Sequence, residues 1–346
     1  MTVAIITDQH FGMRKGSQIF HDYIKEFYDN VFFPTLEKEN IKTVLDLGDT
    51  FDNRKSIDFW SLQWAKENYY DRLNAMGIRV NTLVGNHTAY YKNTLSINTI
   101  NLLLGQYENV RMIDKPQTVN VEGLDVCFLP WICTENETET FSEVSNTKAK
   151  VCMGHLELSG FEAHVGYMME HGMSSDLFTK FKKVFSGHFH HRSNAGNIYY
   201  LGNPYQMYWN DYKDARGFHL FDTETLKLKF IKNPYEMFVK IFYNDQKENY
   251  SLVNCEQFKS RVIKLIVEKK SNHYHFDMFI ENLYRAGIHE LKIIDNAQEE
   301  ITTDGDIEVE GTLNFLENYV EQIDYEDKDN LKSIIKTIYL ESLEVE

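Results

Sequence analysis

Short apolar runs alternate with longer amphipathic stretches along the first two thirds of the chain, and this alternation constrains the fold more than any other feature. Six runs of three to five residues are predicted to be buried strands, at 3–7, 43–47, 80–84, 110–113, 151–153 and 183–186. Helices are predicted between the early runs, at 18–39, 57–76 and 94–105. Strands that alternate with helices form parallel crossovers in a layered α/β sheet.

Two predicted hairpins interrupt this alternation. One turns at Glu122-Gly123 and the other near Thr223-Glu224. Hairpin strands are antiparallel, so they convert a purely parallel arrangement into a mixed one. We therefore predict an α/β fold in which two mixed β-sheets pack face to face with helices on the outside.

The pattern changes near Asn233-Pro234, where a second unit begins. Strands at 262–267 and 290–294 flank a helix at 276–286, which predicts a small β-α-β domain. A polar, acidic stretch follows and is predicted to be a linker, and two amphipathic helices at about 312–323 and 328–343 close the chain. The predicted organisation is a large α/β domain at 1–232, a small α/β domain at 233–296, an acidic linker at 297–311 and a helical element at 312–346.

The formal net charge of −16 is concentrated at one end of the chain. Residues 299–346 hold 15 acidic residues against 3 lysines, a net charge of −12, so the other 298 residues carry only −4. The main body can therefore bear a local basic surface. No stretch approaches the ~18 apolar residues of a membrane span, and the first residues lack a basic leader, so we expect neither a span nor a secretory signal.

The four cysteines form no CxxC pair. We interpret them as small core residues in a reducing cytosol.

Side chains that can bind metals follow several predicted strands at the point where each strand ends. They are Asp8, His10, Asp49, Asn86, His87, His155, His188 and His190. Any one of these motifs alone is more often a turn or a core histidine. Five motifs in order, each at a strand end, predict a common site, because such ends meet at one edge of an open sheet.

The predicted ligands combine carboxylates, imidazoles and one amide oxygen, which suits borderline-hard divalent ions such as Mn²⁺ better than thiolate-bound zinc. Seven of these eight side chains are enough for two ions with a shared carboxylate between them. Two ions roughly 3.5–4 Å apart bind the oxygens of a phosphate and generate a hydroxide, as phosphoester hydrolysis requires.

The motifs DxHxG, GDxFD, GNH, GH and GHxH occur in this order, and over residues 1 to about 230 the chain resembles the calcineurin-like metallophosphoesterases. The segments GHLELSG (154–160) and YLGNPYQM (200–207) are similar to the SbcD-type nucleases. These are the nuclease half of a double-strand-break repair complex with an SMC-like ATPase. Protein phosphatases would show GDxxDRG where this chain has GDTFDNR. In its small size, with no long C-terminal extension, the chain most resembles the recombination endonuclease subunits of T-even-like phages.

The resemblance implies a four-layer metallophosphoesterase fold, a capping domain at 233–296 and specific roles for the strand-end residues. Asp8, His10 and His190 would hold a first ion, and Asn86, His155 and His188 a second. Asp49 would bridge the two ions, and His87 would be catalytic, outside the ligand set. The implied cofactor is two Mn²⁺ ions, with Mg²⁺ as an alternative. Thr88 departs from the family, which usually has a carboxylate there, and we expect this to leave His87 a poorer acid.

The implied function is a DNA nuclease subunit with 3′-to-5′ exonuclease and single-strand endonuclease activity. Candidate DNA contacts on the loops around the site are Arg14, Lys15, Arg54, Lys55, Tyr90, Lys92 and Arg192. For each of these residues, ordinary loop charge or packing is the alternative interpretation. Two other functions stay open: a small-molecule phosphodiesterase or phosphatase on the same fold, and a mainly structural, dimerising clamp with feeble cleavage.

The resemblance also implies partners. The helices at 57–76 and 94–105 would form a homodimer interface, and the element at 312–346 would dock on an SbcC-type, SMC-like ATPase. Packing onto the sheet and an ordinary helical hairpin are the respective alternatives. DNA is the expected substrate, and the host cytoplasm is the expected location for a phage protein.

Overall fold

The computed structural model describes residues 1–164, 166–295 and seven positions between 320 and 337. Those seven positions are helical: Val320, Lys328, Leu331, Lys332, Ile334, Ile335 and Thr337. The predicted linker at 297–311 lies outside the described residues. The predicted helical element at 312–346 also lies outside them, apart from these seven positions.

The first sheet has six strands in the order β14-β13-β1-β2-β3-β4. Its parallel half comprises β1 (Thr2–Ile6), β2 (Thr43–Asp46), β3 (Arg79–Leu83) and β4 (Val110–Ile113). The hairpin of β13 (Gly217–Asp222) and β14 (Leu228–Lys232) joins the other side of β1 in antiparallel fashion. The predicted strands and the predicted second hairpin are therefore present, and the sheet is mixed.

Helices connect the parallel strands and cover the outer face of this sheet. The helix after β1 runs continuously from 18 to 38 through the segments Gln18–Phe27, Tyr28–Phe32 and Phe33–Lys38. The helix after β2 runs from 59 to 75 through Phe59–Ala65, Lys66–Tyr70 and Asp71–Ala75. Their apolar faces share one large core with Val44 and Val80 of the sheet. This burial holds the helices against the sheet.

The third predicted helix is shorter than expected. It spans Thr99–Leu104, and residues 94–98 form a loop, so the prediction of a helix from 94 was wrong at its start. The side chain of Asn98 accepts a hydrogen bond from the Asn101 N–H at 2.8 Å. An asparagine that caps the first turn in this way begins the helix and does not continue one.

The second sheet also has six strands, in the order β11-β12-β10-β7-β6-β5. The strands are β5 (Gln117–Val121), β6 (Leu124–Leu129), β7 (Val151–Gly154), β10 (Lys183–Ser186), β11 (Ser193–Ala195) and β12 (Ile198–Tyr200). A two-stranded hairpin, β8 (Glu162–His164) and β9 (Tyr167–Met168), lies between β7 and β10 in the chain. A helix at Glu137–Asn146, which was not predicted, packs Val144 against the outer face.

One apolar core joins the two sheets. Val3 and Leu45 of the first sheet share it with Phe128, Met153 and Phe185 of the second, all of them fully buried. The sheets therefore pack face to face with helices outside, and the predicted fold class is confirmed.

The predicted small domain is a three-stranded parallel sheet covered by one helix. It contains β15 (Phe238–Asn244), β16 (Val262–Lys269) and β17 (Glu290–Asp295), and the helix spans His273–Arg285. The β-α-β unit is thus present, with β15 added as an edge strand. Arg261 joins this domain to the large one through an ion pair with Glu26 at 2.8 Å. The domain boundaries themselves stay a prediction.

The four cysteines are free and buried, as small core residues are. Among the helices of the described residues, none combines the length and the apolar character needed to cross a bilayer.

Candidate metal centre

The predicted ligands converge at the carboxyl ends of strands from both sheets. Asp8 and His10 follow β1, Asp49 follows β2, Asn86 follows β3, and the remaining three histidines follow β7 and β10. In the part of the chain that the structure describes, two groups have ligand atoms within 4.8 Å of one another. The groups are Asp8, His10 and His190 (the first group) and Asp49, His155 and His188 (the second group).

The backbone at these positions is held in an uncommon conformation. Asp8, His10, Asp49 and His188 have φ angles of 52°, 47°, 50° and 81°. A residue with a Cβ costs of order 1–3 kcal/mol in such a region and persists only where the surrounding structure enforces it. The described residues include eleven non-glycine residues with positive φ, and four of them are predicted ligands. This uncommon backbone conformation is thus concentrated at the predicted metal site.

Two glycines are required here by close approach. A Cβ at Gly85 would lie 2.2 Å from the Asp49 Oδ1, and a Cβ at Gly187 would lie 2.0 Å from the Thr7 Oγ1. Both positions therefore exclude any side chain, and the glycines of the GNH and GHFH motifs allow the loops to bring their ligands together.

In the first group, neighbouring side chains fix each ligand. The His10 Nδ1 donates to the Asp52 Oδ1 at 3.0 Å, so the lone pair of His10 is on Nε2, which lies 3.1 Å from the His190 Nε2. The Asp8 carboxylate accepts the Thr7 hydroxyl at 2.7 Å and the His188 N–H at 3.1 Å. Asp52 was missed by the sequence reasoning, although it is the second aspartate of the GDTFD motif.

In the second group, ring nitrogens face oxygens that are also acceptors. The His155 Nδ1 donates to the Leu47 carbonyl at 2.8 Å, which leaves the lone pair on Nε2. That Nε2 lies 2.9 Å from the Asn86 Oδ1 and 3.1 Å from the Asp49 Oδ2. Because a lone pair cannot bond to another lone pair, a proton or a metal cation must lie between these atoms. Asn86 thus belongs with the second group.

His188 is oriented by a carboxylate that the sequence reasoning also missed. Its Nε2 donates to the Glu157 Oε2 at 3.2 Å, and its Nδ1 lies 3.1 Å from the Asn86 Oδ1. The Trp131 ring packs against the same imidazole with centroids 5.0 Å apart. Glu157 is two residues beyond His155, so its position in the GHLEL segment was the available signal.

The electrostatics of the site favour a cation. Burial lowers the pKa of the His155 imidazole, but Asp49 outweighs this and raises it to about 9. Burial also raises the pKa of Asp49, yet His155 and His87 hold it well below its usual range. His190 differs, because burial and the neighbouring His10 keep its pKa well below the usual value. The carboxylate, imidazole and amide ligand atoms, together with the negative charge of the aspartates, therefore fit two divalent ions.

His87 lies beside the ligands and outside both groups. Its N–H donates to the Asp49 Oδ1 at 2.8 Å, and its Nδ1 donates to the Asp52 carbonyl at 2.6 Å. Its ring meets the His10 ring edge-on, with centroids 4.9 Å apart. Burial lowers the pKa of His87. Asp52 therefore orients two imidazoles, one with its carboxylate and one with its main chain.

The environment of Thr88 changes the interpretation of this position. The Thr88 side chain is fully buried; its hydroxyl accepts from the Gly85 N–H at 2.9 Å and donates to the Gly85 carbonyl at 3.1 Å. It holds the loop that carries Asn86 and His87, while the Asp52 carbonyl holds the His87 ring. The expectation that residue 88 governs the acidity of His87 therefore has no contact to support it.

The predicted DNA contacts surround this site with differing exposure. Lys15, Lys55 and Lys92 are exposed, Tyr90 is 40 % exposed and Arg54 is partly buried. The two remaining candidates are also exposed, although each contacts the protein itself: the Arg14 guanidinium donates to the Met207 carbonyl at 3.1 Å, and that of Arg192 lies 3.7 Å above the Phe230 ring. Their role in DNA binding stays a prediction.

This fold with two His/Asp groups at one sheet edge is typical of dimetal phosphoesterases. Residues 1–192 match the calcineurin-like phosphoesterase family, more than half of the chain, and the chain belongs to that family. Over 339 residues it is 32% identical to exonuclease subunit 1 of Enterobacteria phage T4, with 95% of each chain covered. The predicted resemblance to this family and to a phage nuclease subunit is confirmed.

Two solved structures match the chain over about two thirds of its length. A dimetal phosphatase from Danio rerio is 11% identical, with 68% of this chain and 97% of that chain covered and a TM-score of 0.43. An archaeal phosphodiesterase is also 11% identical, with 67% of this chain and 100% of that chain covered and a TM-score of 0.35.

Proposed function

We propose that this chain is the metal-dependent nuclease subunit of a DNA double-strand-break repair or recombination complex. The observation that carries the proposal is the pair of His/Asp groups at one sheet edge of a phosphoesterase fold. The reaction is hydrolysis of DNA phosphodiesters, as 3′-to-5′ exonuclease and single-strand endonuclease. The relationship to a phage exonuclease subunit over nearly the whole chain supports this substrate over others.

Each group takes one ion in this proposal. Asp8, His10 and His190 would hold the first ion, and Asn86, His155 and His188 would hold the second. Asp49 would supply a carboxylate to both groups, which is supported by its charge acting on His10 as well as on His155. The ions are Mn²⁺, with Mg²⁺ as the alternative. When bound, two divalent ions would neutralise charge on a phosphate and lower the pKa of bound water.

His87 faces the substrate and not the ions. Its main chain is anchored on Asp49 and its Nδ1 proton on the Asp52 carbonyl, so Nε2 is the ring atom left for the phosphate side. In that place it stabilises charge on the phosphate or on the leaving oxygen. His87→Ala should keep two Mn²⁺ ions, measured by calorimetry, while cleavage falls by roughly 10²–10⁴-fold. Loss of an ion together with activity would place His87 in the ligand set.

The DNA backbone contacts exposed charge around the site. Lys15, Lys55 and Lys92 supply sequence-independent phosphate contacts, and Tyr90 offers a face for an unpaired base. Each lysine that contacts a phosphate raises the salt sensitivity of binding. Replacing all three with glutamine should therefore flatten the dependence of DNA affinity on salt concentration, with Mn²⁺ binding unchanged.

The decisive assay compares substrates for the same purified chain. Turnover of labelled duplex DNA, single-stranded DNA, nucleotides and bis-p-nitrophenyl phosphate is measured side by side with Mn²⁺ or Mg²⁺. We expect DNA to be cleaved with the highest kcat/KM. Faster turnover of nucleotides than of DNA would instead identify a small-molecule phosphodiesterase.

The partner is an SbcC-type, SMC-like ATPase that binds the helical element at 312–346 in the host cytoplasm. The acidic linker at 297–311 separates this element from the nuclease domain at 1–232 and the capping domain at 233–296. Deleting residues 311–346 should leave Mn²⁺-dependent cleavage intact and abolish co-purification with the ATPase. Undiminished co-purification of the truncated chain would refute this docking site.

The chain also forms a homodimer through the helices at 59–75 and 99–104. Phe59 at the start of the first helix is 91 % exposed, and Leu102 on the second is 71 % exposed. The Lys66 Nζ donates to the Gln106 Oε1 at 3.3 Å and ties the two helical segments together. Exposed apolar residues on adjoining segments are typical of an interface. Phe59→Glu with Leu102→Glu should yield a monomer in light scattering.

A further inference from the structure

Arg216 is a buried cation directly behind the first group. Its side chain is 5 % exposed, and its Nη1 donates to the main-chain carbonyl of His190 and to the Asn203 Oδ1. Its Nη2 lies 2.7 Å from the Asp211 Oδ1 and 2.8 Å from the Asp214 Oδ2. One guanidinium therefore joins a predicted metal ligand to two carboxylates.

Burying the Arg216 guanidinium is energetically costly. Taking a guanidinium out of water costs several kcal/mol, which only good geometry and satisfied partners offset. The planar, forked guanidinium holds a carbonyl on one nitrogen and carboxylates on the other, whereas an ammonium group would have to bring all of these partners to a single nitrogen. Arg216 immediately precedes β13, the neighbour of the strand that leads to Asp8. The fork is thus fixed on the sheet that carries Asp8 and His10, and it reaches His190, which follows β10 of the second sheet.

Hydrogen bonds continue from Arg216 to the capping domain. The Asp211 Oδ2 accepts the Met207 N–H at 2.6 Å, and the Asp211 carbonyl accepts the Gln206 Nε2 at 3.0 Å. The Gln206 Oε1 in turn accepts the N–H groups of Met237 and Phe238 at 2.8 and 3.0 Å. Phe238 is the first residue of β15, so this relay joins His190 to the first strand of the cap.

We propose that Arg216 is a positioning residue for His190, and that the Asp211–Gln206 relay makes metal binding at the first group depend on the seating of the capping domain. The proposal rests on the proposed two-ion function. Arg216 contacts no substrate atom in this scheme and acts only through the loop of His190. A movement of β15 would first displace Gln206 and Asp211, and through Arg216 it would then displace His190.

Metal affinity is the quantity that this contact should control. Loss of a residue that orients a ligand typically lowers metal affinity 10–100-fold. We therefore expect Arg216→Met to weaken one of two Mn²⁺ binding steps by about that factor in calorimetry of the full chain, and to leave the other step unchanged. Arg216→Lys keeps the charge and loses the fork, so it should fold and show an intermediate loss.

Arg72→Met is the matched control. Arg72 also pairs with a carboxylate, that of Asp29, and its guanidinium lies 3.7 Å from the Phe33 ring; all three residues belong to helices of the large domain. This variant should lose stability in thermal unfolding without ion while both Mn²⁺ affinities stay at the wild-type values, because these contacts include neither the relay nor the capping domain. Equal metal affinities in the wild type, Arg216→Met and Arg216→Lys would overturn the positioning role.

A double-mutant cycle assigns the effect to one ion. His190→Ala should itself weaken one binding step, and adding Arg216→Met should then change the remaining affinities by less than twofold, because coupled residues are not additive. A full additional loss in the double variant would show that Arg216 acts elsewhere and refute the proposal. A wild-type chain that binds fewer than two ions would instead contradict the proposed function.

Gln206→Met tests the relay to the cap. It removes the bonds to Asp211 and to both cap N–H groups while preserving side-chain volume. We expect a several-fold loss at the same binding step that Arg216→Met weakens. Unchanged Mn²⁺ affinities in a folded Gln206→Met chain would refute the dependence on the cap.

Discussion

The two ligand groups are supported in different ways. In the first group, His10 is held by the Asp52 carboxylate, whose side chain is 24 % exposed, and His190 is held by the buried Arg216. In the second group, His155 is held by the Leu47 carbonyl, but His188 depends on Glu157, which is 37 % exposed. The orienting charge behind the first group is thus more deeply buried than the charge behind His188.

This difference ranks the ligands by how firmly they are fixed. Hydrogen bonds and charges act more strongly away from water, and an exposed pair contributes little. A main-chain carbonyl at the end of β2 moves only with the sheet, so His155 is fixed by the fold itself. Among the four histidines of the two groups, His188 is the predicted ligand whose position depends most on a solvent-accessible side chain. Substitutions at these supports should therefore weaken metal binding and cleavage to different degrees. The largest loss is expected at Asp49, which acts on both groups.

Asp49→Asn should have the largest effect. Asp49 faces the second group directly, and its charge also acts on His10 of the first. A neutral amide cannot balance two cations, so we expect DNA cleavage to fall by at least about 10³-fold and one Mn²⁺ ion to be lost. Calorimetry and cleavage assays on the same preparation measure both. A variant that kept more than a tenth of wild-type activity would break the two-ion assignment.

Asp52→Asn should come next and act on the first group. The amide keeps an acceptor for His10 but removes the charge that fixes its tautomer, while the carbonyl that holds His87 is unchanged. We expect Mn²⁺ affinity at one step to fall by 10–100-fold. Because His87 stays oriented, saturating Mn²⁺ should restore most of kcat. A loss of kcat that excess metal cannot restore would mean that Asp52 acts chiefly through His87.

Thr88→Asp should act on folding more than on catalysis. The buried hydroxyl both accepts from and donates to Gly85, and an aspartate would place a charge in a fully buried position. We expect a loss of about 3 kcal/mol in the free energy of unfolding, from the lost bonds and the buried charge. Denaturant unfolding measures it, with Thr88→Ser as the control that keeps the hydroxyl. Equal stability of Thr88→Asp and the wild type would contradict this account.

The sequence predicted the sheets and the strand-end residues because both signals are local. An apolar run is followed directly by a glycine and a side chain that can bind metal, as at Gly85-Asn86. The strand, the turn and the predicted ligand can therefore all be recognised within a few residues. The residues that orient the predicted ligands are harder to find from the sequence. Asp52 and Glu157 lie close to motifs but are ordinary acids by type, and Arg216 meets His190 only through the tertiary fold. The start of the helix at Thr99 was missed because Asn98 acts as a cap.

Glu157→Gln should have the smallest effect of these variants. The hydrogen bond with His188 holds the pKa of Glu157 below its usual range, so the side chain is charged at neutral pH. Glutamine keeps an oxygen for the His188 Nε2 and loses only a charge that solvent already screens. We expect Mn²⁺ affinity to fall less than tenfold, less than in Asp52→Asn measured under the same conditions. Glu157→Ala, which also removes the acceptor, should lie between these two variants. Glu157→Gln could instead weaken metal binding as much as Asp52→Asn. In that case the solvent exposure of a carboxylate would not determine how strongly it holds its histidine, and both groups would depend equally on their carboxylate partners.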